Sequence, residues 1–131
     1  MRQLRLVVHA EDYHGALRFF RDVLGMPEQE AYSGGGGAEV TILDAGRATL
    51  EIANSAQADM IDDVEVGSRV AGHFRVALEV DDCEAATGAA VEAGADQIAP
   101  PTRTPWNSLN SRLSAPAGIQ LTLFQELETT T

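Results

Sequence analysis

Two arginines, Arg5 and Arg75, stand 70 positions apart inside stretches of one alternating pattern, "LRLVVHAED" and "FRVALEVDD". A guanidinium stays protonated at any usable pH and presents its N–H groups as a planar fork, which suits a carbonyl, a phenolate or a carboxylate. Near them in sequence or pattern lie His9, His73, Glu51 and Glu79, groups that elsewhere move protons or ligate metals. The stretch "HFRVALEVDD", beginning at His73, raises the metal question most directly, because it sets a histidine and three acids on one short extended run.

The elements that must position these groups come from a repeat. Leu4 aligns with Phe74, Arg5 with Arg75, Leu6 with Val76, Val8 with Leu78 and Asp12 with Asp82. Each copy reads as an alternating strand, an acid able to cap a helix, the helix, and a closing glycine, Gly25 or Gly94. In the first helix Ala16, Leu17, Phe20, Val23 and Leu24 fall on one face; in the second, Ala86, Ala89, Ala90 and Ala93 permit close approach to a sheet. Three extended segments follow each helix: residues 30–33, 39–43 and 48–53, then 96–100, 108–113 and 119–127. The run Gly34–Gly37 has no lysine and no strand-to-helix setting for a phosphate loop, so it is expected as a hairpin tip. The expected organisation is βαβββ twice: a first module over 1–54, a polar connector over 55–72 and a second module over 73–128.

Composition narrows the function classes. The chain has 131 residues, nine Lys plus Arg against 20 Asp plus Glu, and a net charge of −11, which opposes nucleic acid and anionic membranes. No apolar run approaches the roughly 20 residues of a membrane helix. The opening "MRQLRLVVHA" reads as a first strand rather than a secretory signal, so a cytoplasmic location is expected. Cys83 is the only cysteine, which leaves no intrachain disulfide and no cysteine zinc site.

The paired modules, with "DYHGALRFFRDVLGM" in the first and "RVALEVDD" and "APAGIQLTLFQ" in the second, resemble the vicinal oxygen chelate superfamily of glyoxalases, extradiol dioxygenases and bleomycin-type resistance proteins. The resemblance spans about residues 2–127. It implies an α+β fold in which two βαβββ modules form a curved mixed sheet, with a concave ligand cup and helices on the convex side. It also implies a homodimer, with exchange of strands or modules between chains left open. Metal-dependent members place His and Glu at four cup positions, which by spacing are Arg5, Glu51, Arg75 and Thr122 here. Two guanidiniums, one carboxylate and one hydroxyl do not hold a divalent ion, so neither a metal nor another cofactor is expected. At about 3.3 Å per residue, His73 lies about 6.6 Å from Arg75 along the strand, outside that register, at a cavity rim or an interface.

Strand parity selects the cup lining. Leu4, Leu6 and Val8 belong under the helices, leaving Arg5, Val7 and His9 opposite; by the same rule Glu51, Arg75, Thr122 and Phe124 face the cup. Glu51 is expected to pair with Arg5 or Arg75, leaving the other guanidinium for a ligand; equally, all three close a salt-bridge network. Trp106, in "PWNSLNSR", either stacks on a planar ligand or plugs the sheet edge. Asn110 and Arg112 share the parity of Ser108, and which face of that strand looks inward is open. Phe19 lies off the helix face and His14 reads as a surface residue.

Arg5, Val7, His9, Glu51, Arg75, Trp106, Asn110, Arg112, Thr122 and Phe124 are therefore the candidate ligand-binding residues, with no catalytic residue assigned. The expected function is metal-free binding and sequestration of a small aromatic natural product, as in the resistance proteins. The alternative is a metal-free isomerase, cyclase or lyase with His9, Glu51 or Glu79 as base and an arginine stabilising an enolate.

Overall fold

The computed structural model describes residues 1–23 and 25–128, with only the backbone of Ala117. Leu24, placed on the first helix face above, lies outside the described residues. The first half runs β1 (Gln3–His9), α1 (Tyr13–Leu17), β2 (Glu28–Ser33), β3 (Glu39–Ala45) and β4 (Ala48–Ala53). The second runs β5 (Phe74–Glu79), α3 (Cys83–Glu92), β6 (Asp96–Arg103), β7 (Ser108–Ser114) and β8 (Gln120–Glu126). Between them the connector forms a helix, α2 (Ser55–Glu65), where a polar link was expected.

The local signals act as expected where they are strongest. Asp12 Oδ1 accepts the Gly15 N–H at 3.0 Å and Asp82 Oδ1 accepts the Ala85 N–H at 3.1 Å, each satisfying a first-turn donor that the helix itself leaves free. Gly25 and Gly94 take φ of 76° and 111°, the left-handed conformation that ends a helix. Two faces differ from expectation. After α1 the chain winds as a wider π-helical turn over Arg18–Val23, and Val23 is carried out into solvent. On α3 the sheet-facing stripe is Cys83, Ala86, Thr87 and Ala90, while Ala89 and Ala93 are exposed.

All eight strands join one curved, unclosed sheet in the order β2-β3-β4-β1-β5-β8-β7-β6. The halves meet at an antiparallel β1–β5 pair, flanked by parallel β1–β4 and β5–β8 pairs. One face packs under α1, around Tyr13, Leu17, Leu43, Leu50 and Ile52, and under α3, around Cys83, Ala95, Leu113 and Leu123. Helix α2 takes the other face: it touches β3 and β7, and its acids reach side chains of the cup. The helices are therefore not all convex, because the connector folds back across the mouth. No described helix is long and apolar enough to cross a membrane.

Candidate functional site

Strand register builds the cup floor row by row. Across one row lie Glu51 of β4, Val7 of β1 and Arg75 of β5. The next carries Thr49, Arg5, Ala77, Thr122 and Arg112 from β4, β1, β5, β8 and β7. Adjacent strands are about 4.8 Å apart, and the floor puts Arg75 one strand from Arg5 and two from Arg112. Val7, Ala77 and Phe124 form a small apolar patch between them.

All of these residues but Thr49 and Arg112 line a cavity of about 570 Å³, within the range of small-molecule sites. Arg5, Val7, Glu51, Arg75, Thr122 and Phe124 make the floor, His9 and His73 stand at one margin, and Asn110 and Trp106 line the β7 side. Trp106 is 43% exposed and so is open to the cavity. Phe19 is not part of the lining, and His14 is exposed near Glu39. Ser108, Asn110 and Arg112 all face the cup side, whereas Leu109 and Leu113 pack toward α3, which settles the facing of β7.

Arg112 needs a correction. It lies under the cavity, 0% exposed and absent from its lining, because α2 delivers two carboxylates to it. Asp62 and Glu65 are three residues apart, hence on one helix face. Arg112 donates to Asp62 Oδ1 at 2.8 Å, to Glu65 Oε1 at 3.0 and 3.2 Å, to Gln120 Oε1 at 2.7 Å and to Thr122 Oγ1 at 3.2 Å. Asp62 Oδ2 also accepts the Val70 and Ala71 N–H groups at 2.8 and 2.9 Å and Arg69 at 3.2 Å. Burial works against the Asp62 carboxylate, but the Ala71 N–H, Arg112 and the Val70 N–H outweigh it and hold its carboxyl below the ordinary value. On this side of the floor the Arg112 charge is thus met by two carboxylates.

The other side differs. Arg5 Nη1 lies 3.6 Å from Glu51, the pairing expected, while its Nε donates to Gln3 and its guanidinium sits 4.8 Å over the Phe124 ring. Burial pushes the Glu51 carboxyl above its ordinary value, and Arg75 and Arg5 only partly offset it. Arg75 donates from Nη1 to Thr122 Oγ1 at 2.7 Å and makes no ion pair within 4.0 Å among the described residues. Burial lowers its affinity for its proton, with Glu65 acting in the opposite sense.

His9 is held at both nitrogens. Arginine only donates, so the 3.2 Å contact from Arg69 Nη2 makes Nδ1 the acceptor, and Nε2–H then donates to Ser55 Oγ at 2.8 Å. His73 stacks on it at 5.8 Å, at the cavity margin.

The model of the Glyoxalase/Bleomycin resistance protein/Dioxygenase superfamily matches residues 2–123. The chain belongs to this superfamily. Among solved structures, a hypothetical protein from Bacillus halodurans C-125 is similar at a TM-score of 0.70 and 14% identity, over 97% of this chain and 95% of its own. A Streptomyces coelicolor methylmalonyl-CoA epimerase, in complex with 2-nitronate-propionyl-CoA, is similar at 0.67 and 17% identity, over 98% and 99%. A glyoxalase/bleomycin resistance protein/dioxygenase superfamily member from Vibrio splendidus 12B01 is similar at 0.63 and 13%, over 95% and 98%. At these identities the likeness is one of fold. No match to the chain is found among curated proteins.

The superfamily's metal position does not fit this donor set. Its one carboxylate, Glu51, faces Arg5, and the Thr122 hydroxyl already accepts from Arg75 and Arg112 and contacts Glu65 Oε1 at 3.1 Å. Two guanidiniums repel a cation, and among the described residues no three His, Cys, Asp or Glu side chains converge to hold one.

Parity alone did not identify α2, Asp62 or Glu65. The helix had a readable signal in Asn54, whose side chain accepts the Gln57 N–H at 2.8 Å, ahead of eleven residues free of Gly and Pro. The burial of its acids had none, because their partner Arg112 lies about fifty residues further on and reaches them only through the fold. Tyr32, Met60 and Ile61 join the lining for the same reason.

Proposed function

We propose that the protein binds and sequesters a small aromatic natural product without a metal. The observation that carries this reading is a cavity of about 570 Å³ whose lining combines Trp106, Tyr32 and Phe124 with an arginine that has unused donors. Flat aromatic walls and a few placed polar groups are what a binding cup requires. A solved relative described in complex with a small CoA ester supports a small-molecule ligand in this fold. Phe74 and Ile119, 65% and 45% exposed on the helix side of the sheet, support a second copy as partner, and we take the chain as a cytoplasmic homodimer. Titration of aromatic natural products against Trp106 fluorescence is the test. A saturable change, with the compound recovered unchanged, is expected; a compound recovered rearranged overturns sequestration.

One observation favours a second reading, a metal-free isomerase, cyclase or lyase. Glu51 is a partly buried carboxyl with a raised proton affinity, 3.6 Å from Arg5 and under the influence of Arg75, the arrangement of a base beside oxyanion donors. His9 is less suited, since Ser55 and Arg69 occupy both of its nitrogens. Deuterium entering a bound carbon acid from D₂O, and ceasing in Glu51→Gln, distinguishes this reading from plain binding.

A further inference from the structure

From the geometry of the floor we infer that Arg75 is an anion subsite, and that the ligand of the cup is an aromatic carboxylate whose carboxylate group seats on the Arg75 guanidinium. The inference rests on the binding reading above and specifies its ligand class.

Charge at the floor divides into two sets. Arg112 and Arg69 face Asp62, with Arg112 also on Glu65 and Arg69 also on Asp59 at 3.1 Å, so every cation there meets a carboxylate. In the other set Arg5 faces Glu51 at 3.6 Å, and Arg75 faces a neutral hydroxyl. One guanidinium is thus left without a direct ion pair among the described residues, with Glu65, Glu51 and Asp62 acting on it only from beyond 4.0 Å. Thr122 fixes it from one side, since its hydroxyl accepts from Arg75 Nη1 at 2.7 Å while contacting Glu65 at 3.1 Å. The remaining N–H groups make no hydrogen bond to any described residue, and the residue lines the cavity. A planar fork with free parallel donors matches a carboxylate in bidentate geometry. The apolar patch of Val7, Ala77 and Phe124 and the ring of Trp106 define what the rest of that ligand is. Glu30 and Glu126, both exposed, also line the cavity, which disfavours a second anionic group beside them.

The test compares 2-naphthoate with 2-naphthamide, equal in shape and different in charge, by calorimetric titration of the full chain. A charge-assisted pair of hydrogen bonds predicts that the wild type prefers the acid by roughly tenfold or more. Arg75→Gln is expected to reduce that preference to less than about threefold while leaving the amide's affinity near its original value, and Arg75→Lys to give an intermediate preference. Equal affinity for acid and amide in the wild type overturns the subsite yet leaves the cup as a binding site. So does a preference that survives Arg75→Gln. Naphthoate bound preferentially but recovered chemically altered keeps the subsite and overturns sequestration. Failure of both compounds to bind up to millimolar concentration overturns the inference and the aromatic-ligand reading together. Should Arg75→Gln not fold, the acid–amide comparison on wild type and the Arg75→Lys variant still decide it.

Discussion

The floor of one cup holds two arginines of the same parity, in neighbouring rows, with opposite fates. Arg112 on β7 is fully buried and hydrogen-bonded to Asp62, Glu65, Gln120 and Thr122. Arg75 on β5 has, among the described residues, Thr122 as its one hydrogen-bond partner. Strand pattern does not produce the difference, since both residues face the cup. It comes from α2, which crosses the face and lays two carboxylates over one side. A buried charge that meets its counter-ions ties elements together; one left without them is available to a ligand.

The largest expected effect follows from that contrast. Arg112→Met leaves Glu65 buried without its cation and Asp62 with Arg69 alone, and is expected to cost about 3–5 kcal/mol. Arg75→Met removes an unpaired charge and replaces it with an apolar chain of similar length, so a change within about 1 kcal/mol is expected. Urea denaturation of the two variants checks it, and equal losses would show that Arg75 is also structural. Replacing Arg112, Asp62 and Glu65 together with apolar residues of similar volume is expected to recover most of the Arg112→Met loss, because no buried charge is then left alone.

Acid titration sharpens the same comparison, since the two sides hold carboxyls shifted in opposite directions. Asp62 is held below its ordinary value, so it contributes stability that is present above about pH 4 and is lost as pH falls through its lowered folded value. Glu51 is pushed up, so its contribution is complete below about pH 4.3 and is lost as pH rises through its raised folded value. Urea midpoints measured between pH 3 and 8 are expected to fall less steeply at the acid end in Asp62→Asn than in wild type. Glu51→Gln is expected to gain stability relative to wild type at pH 7 and to lose that gain toward pH 4. An Asp62→Asn profile parallel to wild type would remove Asp62 from the acid-sensitive set.

Legibility in the sequence follows the range of the interactions. Strand parity and the two caps act over a few residues, so Asp12, Asp82, Gly25, Gly94 and the lining positions Arg5, Glu51, Arg75 and Thr122 were all readable from local spacing. Parity also put Arg112 on the cup side, but it says only which way a side chain points, not what covers it. That depended on a helix whose polar residues resemble a solvated connector until the sheet beneath them is known. Val23 leaves the apolar face for a related reason: a change from α to π winding alters the period that sets which residues share a face.

The smallest expected effect lies on the open side, at Thr49. Its parity is that of Glu51 and its register partner is Arg5, yet its hydroxyl is buried with no hydrogen-bond partner among the described residues. An unmet buried hydroxyl costs about 1–3 kcal/mol when nothing replaces its hydration, whereas a methyl in the same volume costs nothing of that kind. Thr49→Val is therefore expected to stabilise the protein by about 1 kcal/mol, read as a rise in the urea midpoint at unchanged slope. Thr122→Val, the same substitution in the same row but on a hydroxyl that accepts from Arg75 and Arg112, is expected to destabilise. Opposite signs for two identical substitutions would locate the boundary between the sides between β4 and β8. A loss at Thr49 as well would mean that a bound water satisfies its hydroxyl, and would place that side of the floor among the polar networks rather than the open ones.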